Sequence, residues 1–182
     1  LEKDYFCKRA DGPYMKGKVW PGECNFPDYT NPVVREWWAG LFKELISDIG
    51  VKGVWNDMNE PAVMEVPNKT FPMDVRHDYD GNPCSHRKAH NIYGTQMARA
   101  TYHGVKRFAY PKRPFVITRS AYSGAQRYTS SWTGDNVATW EHLWIANIQV
   151  QRMSISGMGF TGSDIGGFAE QPTGELYARW IQ

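Results

Sequence analysis

The stretch Val54-Trp55-Asn56-Asp57-Met58-Asn59-Glu60-Pro61 decides how the chain is read. It opens as an apolar run and closes on polar groups and a proline. Proline donates nothing to a strand ladder and disfavours helical geometry in the residue before it, so a strand through Val54 and Trp55 stops here. Asp57 then stands at the C-terminal end of a strand, the edge where ligands and chemistry collect in α/β proteins. Taken alone, Asp57, Asn59 and Glu60 also read as the polar groups of a solvated turn. The same layout recurs, however. Asp135 follows Ser130-Ser131-Trp132-Thr133-Gly134, Asp164 follows Gly159-Phe160-Thr161-Gly162-Ser163, and Arg119 closes the run Pro114-Phe115-Val116-Ile117-Thr118. Carboxylates and a guanidinium are therefore expected to meet on one rim.

Working outward, the strongest helix precedes this stretch. Thr30 or Asn31 caps it, Pro32 suits its first position, and Val34, Trp37, Trp38, Leu41, Phe42, Leu45 and Ile49 recur at helical spacing up to a stop at Gly50. A short strand over 16 to 20, closed by Pro21-Gly22, would complete a strand, helix, strand unit of the parallel α/β kind. Residues 61 to 84 show no period and are rich in Pro, Gly and Asp, which predicts a long loop; such loops in compact domains are usually functional. A second helix is predicted over 85 to 108, with Ile92, Tyr93, Met97 and Ala100 on one face. His86 and His90 lie four apart on it, without the Glu and third ligand that a metalloprotease-like zinc site requires, so His86 is expected to point back at the loop instead. Between Arg119 and Asp135 there is too little chain for another strand and a crossover helix, so the simple alternation breaks there. A third helix is predicted over 139 to 155, and a fourth begins near 173.

Hydrophobic residues at 41% and charged ones at 22% describe a globular protein, and a formal charge of +2 without like-charge blocks excludes nucleic acid and the membrane surface as expected partners. No apolar run approaches the about 18 residues of a membrane span, and no signal peptide is evident. Cys7, Cys24 and Cys84 fit neither a disulfide framework nor a zinc pattern and are expected as free thiols. Aromatic residues, at 14%, stand beside the polar strand ends rather than within helical stripes. Trp20, Trp55, Trp132, Tyr122 and Phe168 offer flat faces for a sugar ring, whose axial hydrogens make one side weakly apolar. Each is also an ordinary candidate for core packing.

Read together, these blocks resemble glycoside hydrolase family 31, the α-glucosidases and their relatives. Trp-Asn-Asp-Met-Asn-Glu-Pro at 55 to 61 resembles the family's nucleophile signature, and Arg-Ser at 119 and 120 with Trp-Thr-Gly-Asp at 132 to 135 resembles its acid/base region. Val19-Trp20-Pro21-Gly22 and Gly162-Ser163-Asp164-Ile165-Gly166-Gly167-Phe168 match two further blocks. The stretch His86-Arg87 to His90-Asn91-Ile92-Tyr93-Gly94 is especially like the glucosidase II branch.

The resemblance implies an α/β fold of the (β/α)8 TIM-barrel type, and a retaining α-glucosidase that removes terminal α-linked glucose from oligosaccharides by double displacement. Asp57 would be the nucleophile and Asp135 the general acid/base. Arg119 would bind the sugar, Asp164 would support that network, and Trp20, Trp55, Met58, Trp132 and Phe168 would wall the pocket. The acid's pKa is expected to be raised by burial and neighbouring negative charge. No cofactor or metal is called for. The alternatives within the fold are α-xylosidase, α-transglucosylase and α-glucan lyase, against which the Asp-Met-Asn-Glu-Pro form favours the glucosidase. A non-enzymatic carbohydrate-binding module would use the aromatics and Arg119 but has no need of two carboxylates on separate strands. About five strands are visible against the eight of a closed barrel, so residues 1–182 are expected to be a fragment of one (β/α)8 catalytic domain holding its central to late strands. Its expected partners are the oligosaccharide substrate and the rest of the parent polypeptide, or copies of itself through unpaired barrel edges. Alone, the segment is expected to be inactive.

Overall fold

The computed structural model describes residues 3–182. Its centre is a parallel sheet of four strands, ordered β3 (Val54–Asn56), β6 (Val116–Thr118), β7 (Ser130–Trp132) and β8 (Thr161–Gly162). Register places Asn56 opposite Thr118, Thr118 opposite Ser131, and Trp132 opposite Gly162. The strands therefore end nearly level, and the residues that follow them share one rim. Between β6 and β7 there is only a loop with a single 3-10 turn, Ala125–Arg127, as the short spacing required.

Two sequence expectations are corrected here. The segment Lys16–Val19 (β1) does form a strand, but it pairs antiparallel with Gly22–Asn25 (β2) and lies outside the parallel sheet. The tight turn at Trp20-Pro21, leading into Gly22 at φ +111°, returns the chain at once, so a local hairpin satisfies the strand without a crossover. The parallel sheet is thus built of four described strands. The first helix is also shorter than its periodicity implied. Its cap is Asn31, whose Oδ1 accepts from Val33 N at 2.8 Å, but α1 (Pro32–Gly40) ends at a glycine and a π-turn, Glu44–Asp48, carries the chain to Gly50. The inward row becomes Val34, Trp38, Phe42 and Ile46, spaced by four, while Leu41, Leu45 and Ile49 face solvent. The wider turn shifts the phase of the apolar stripe, a change that a fixed helical period does not anticipate.

Helix α2 (His86–Ala109) follows the hairpin β4 (Arg76–His77) and β5 (Cys84–Ser85), and packs on α1 and on β3 and β6. Phe42, Ile46, Val105 and Val116 form the core beneath the sheet. A second cluster, with Phe71, Val75, Tyr29 and Tyr93 at its heart, sits under the long loop, so this loop is packed rather than loose. Helix α3 (Trp140–Ile155) is capped by Thr139, and α4 (Gly174–Ile181) packs Leu176 and Trp180 against Ala146. All three cysteines are free.

Gly94 fixes how closely α2 approaches the rim. A Cβ there would stand 2.7 Å from the carbonyl oxygens of both Asn59 and Ser120. Neither is a mobile side-chain end, so the backbone itself would have to move. Gly94→Ala is accordingly expected to lower the thermal midpoint by the equivalent of about 1–3 kcal/mol, although alanine is the better helix former. An unchanged or raised midpoint in a thermal melt would contradict this close approach.

His86 does point at the loop. Its Nδ1 lies 2.9 Å from His77 Nε2, and its Nε2 lies 3.0 Å from His90 Nδ1. Burial first, then His77 and His90, pull its imidazole down to about 3. An unfolded histidine takes a proton near pH 6.5, so the folded ring contributes its full stability above about pH 6.5 and loses it as pH falls toward 3. The loss runs at up to about 1.4 kcal/mol per pH unit. A falling thermal midpoint over this window, flattened by His86→Asn, is the expected result; a flat profile in the native sequence would contradict it.

Candidate active site

The rim is assembled by the register of the sheet. Arg119 N donates to Asn56 O at 3.0 Å, extending the ladder by one residue and setting Asp57 and Arg119 side by side. On the other half, Thr133 N donates to Gly162 O at 2.9 Å. Gly134, at φ +84°, then turns the chain so that Asp135 faces Arg119. Asn59 locks the two central loops together: its Nδ2 donates to Thr118 Oγ1 at 2.8 Å and its Oδ1 accepts from Ser120 N at 3.0 Å.

Arg119 is the hub. Its Nε and Nη2 grip both oxygens of Glu60 at 2.7 and 2.9 Å, a two-pronged pairing that fixes the plane of the guanidinium. Its remaining nitrogen, Nη1, stands 3.4 Å from Asp57 Oδ1 and 3.8 Å from Asp135 Oδ2. The Glu60 hydrogen bond, outweighing the opposing cost of burial, raises the Arg119 pKa further, with help from the charges of Glu60, Asp57 and Asp135. Asp57 Oδ1 is shut off from water, and its contact with Arg119 lacks hydrogen-bond geometry, so it keeps a free lone pair beside a fixed cation. Buried oxygens left in this condition are uncommon and call for an explanation. Asp164 has its pKa raised, by burial first and by the charge of Asp135 second.

These groups open on a cleft of about 760 Å³, within the range of small-molecule sites. Asp57, Arg119, Asp135 and Asp164 are its polar lining, and Met58, Trp20, Trp55, Trp132 and Phe168 its apolar walls. Trp132 is 8% exposed and meets Trp55 edge-on at 5.5 Å between centroids, whereas Trp20 is 80%, Trp55 60% and Phe168 66% exposed. Three of the four rings are therefore not core residues, and their faces are available to a ligand. Every site residue expected from the sequence lines this cleft. Tyr122, considered there as a platform, does not: it borders a separate depression with Gln149 and Arg152. Glu60, read only as a turn residue, is the main partner of Arg119. Its signal was its place three residues after Asp57, but the half-buried arginine it pairs with is distant in sequence, which spacing alone does not expose.

The sequence model of the Glycosyl hydrolases family 31 TIM-barrel domain matches residues 1–182. The chain belongs to glycoside hydrolase family 31. Its four parallel strands are part of that family's barrel. Among relatives, this family 31 chain is 48% identical to Alpha-glucosidase 2 of Bacillus thermoamyloliquefaciens, over 100% of its own length and 23% of that protein. It is 42% identical to Neutral alpha-glucosidase C of Homo sapiens, over 100% of its own length and 20% of the other. It superposes on the crystal structure of the glucosidase II alpha subunit bound to alpha3-Glc2 with a TM-score of 0.90 and 40% identity, over 98% of the chain and 20% of that subunit. The chain thus spans between a fifth and a quarter of the length of these relatives.

Proposed function

We propose that the protein carrying this chain is a retaining α-glucosidase that removes terminal α-linked glucose from oligosaccharides, with Asp57 as nucleophile and Asp135 as general acid/base. The observation that carries the reading is the single Arg119 nitrogen poised between Asp57 and Asp135. Because one atom reaches both, the two carboxylate oxygens lie no farther apart than those two distances laid end to end. This admits the about 5–5.5 Å of a retaining pair and disfavours most of the about 6.5–9.5 Å range of an inverting one. The relatives' names, all α-glucosidases, point the same way.

In this reading the Asp57 carboxylate attacks the anomeric carbon while Asp135 gives its proton to the glycosidic oxygen, and the leaving alcohol departs. The glycosyl ester on Asp57 is then cleaved by water, from which Asp135 recovers its proton. Arg119 sets a positive charge beside Asp57, and Glu60 holds Arg119 in plane so that its spare nitrogen faces the reacting centre. Asp164, which lines the cleft, is suited to hydrogen-bond a sugar hydroxyl. The exposed faces of Trp20, Trp55 and Phe168 take the apolar side of the ring.

We further propose that residues 1–182 are part of a single barrel domain, the remaining strands and sugar-gripping groups coming from the rest of the polypeptide. The described sheet has four strands where a closed barrel has about eight, and β3 and β8 are its outer strands. Proton NMR of the first product tests the mechanism: α-glucose should appear before mutarotation, and β-glucose as the first product would exclude the double displacement.

A further inference from the structure

A second cavity, of about 520 Å³, opens beside the cleft. It shares Trp20, Met58, Arg119 and Asp135 with the cleft but is not lined by Asp57. In a displacement the nucleophile and the departing group lie on opposite sides of the anomeric carbon, and the acid stands with the departing group. A cavity that touches Asp135 and not Asp57 is therefore where that group belongs. Its outer wall comes from the loop after Pro61, where the Thr70 hydroxyl is buried without a partner, and from His90.

We propose that His90 is a specificity-determining residue that hydrogen-bonds a hydroxyl of the departing sugar, and that Asp28, His77 and His86 position it. The proposal rests on the hydrolase reading above. Asp28 Oδ1 lies 3.1 Å from His77 Nδ1, His77 Nε2 lies 2.9 Å from His86 Nδ1, and His86 Nε2 lies 3.0 Å from His90 Nδ1. Thr30 N and Oγ1 and Asp78 N donate to Asp28, and Phe71 packs on the rings of His77 and His86, so the chain is anchored at its buried end. Each inner ring has both nitrogens engaged. His90 bonds His86 through Nδ1, and its Nε2 makes no hydrogen bond to another described residue, on a half-buried ring that lines the cavity.

The chain also selects the ligand's chemistry. With Asp28 taking the His77 Nδ1 proton and no extra proton in the chain, each link runs from His90 inward and His90 Nε2 is an acceptor. One added proton at His77 leaves its bond to Asp28 in place, reverses the two links between the histidine rings and makes His90 Nε2 a donor. His86, whose imidazole burial and its neighbours hold near 3, passes the polarity on rather than keeping the charge. A hydroxyl can answer either polarity, whereas an aryl group or fluoride cannot. The chemistry therefore calls for a hydroxyl on the departing group, which a second sugar supplies.

The test compares, in the full-length enzyme, the best of the α-linked glucose disaccharides with α-glucosyl fluoride, whose leaving group brings no second sugar. His90→Phe should lower kcat/KM on the disaccharide about tenfold, chiefly through KM, and leave the fluoride within about twofold. His77→Phe, which breaks the positioning chain, should show the same selective loss, and His90→Gln should restore part of it. Disaccharides lacking one hydroxyl on the departing sugar provide a measurement without any variant: one position should cost the native enzyme about tenfold, a penalty that vanishes in His90→Phe. Equal losses on disaccharide and fluoride, or no deoxy penalty, would overturn the role of His90. A native enzyme inactive on the fluoride would instead overturn the hydrolase reading beneath it.

Discussion

Asp57→Ala in the full-length protein is expected to abolish hydrolysis of every α-glucoside, activated or not, by roughly four orders of magnitude or more, which is on the order of 5 kcal/mol of transition-state stabilisation. The reason lies in what remains. Arg119 stays gripped by Glu60 at 2.7 and 2.9 Å, so the rim keeps its shape and the fold should be intact. Neither neighbouring carboxylate replaces it: Asp135 is needed for the leaving oxygen, and Asp164, whose pKa burial and the charge of Asp135 raise, follows a different strand. Substrate affinity should survive in part, because the aromatic walls are untouched. Initial rates on an oligosaccharide and on an aryl glucoside check this, and substantial residual turnover on either would remove Asp57 from the role of nucleophile.

The second large effect separates acid from nucleophile. Asp135→Ala should slow cleavage of an unactivated oligosaccharide by about 10²–10⁴, the usual contribution of a positioned acid, while an aryl glucoside with a good leaving group loses far less. Azide should then raise turnover of the aryl glucoside and yield the glycosyl azide, since the small anion enters the space left by the carboxylate and needs no base. Equal losses on both substrates without an azide product would assign the acid to another group.

Much of the site was legible because of where polar residues interrupt apolar runs. Asp57, Arg119, Asp135 and Asp164 each end such a run, and register then does the rest: strands that end level must present their next residues together. The exposed tryptophans followed the same logic, being aromatic yet outside any helical stripe. What escaped was the choice of partner. The strand at Lys16–Val19 chose its neighbour β2 over the parallel sheet, a choice between two pairings that a strand's own residues do not encode. The π-turn at Glu44–Asp48 moved Leu45 and Ile49 to the surface because the fit against α2, with Gly104 closely approached by Ala39, set the phase of the buried row. Glu60 was hidden for a similar reason. Its partner lies 59 residues away in sequence, and only the folded rim shows that the arginine needs two oxygens in plane. For the histidines, the turn of His86 toward the loop was legible, whereas its partner His77, nine residues earlier, was not.

The most direct test of the central claim is to trap the glycosyl enzyme. The full-length protein, incubated with a fluorinated α-glucosyl inactivator that forms the ester faster than water removes it, should gain the mass of one sugar residue, and fragmentation of the labelled peptide should place that mass on Asp57. Labelling of a different carboxylate, or an intact protein that binds the reagent reversibly and gains no mass, would contradict the account.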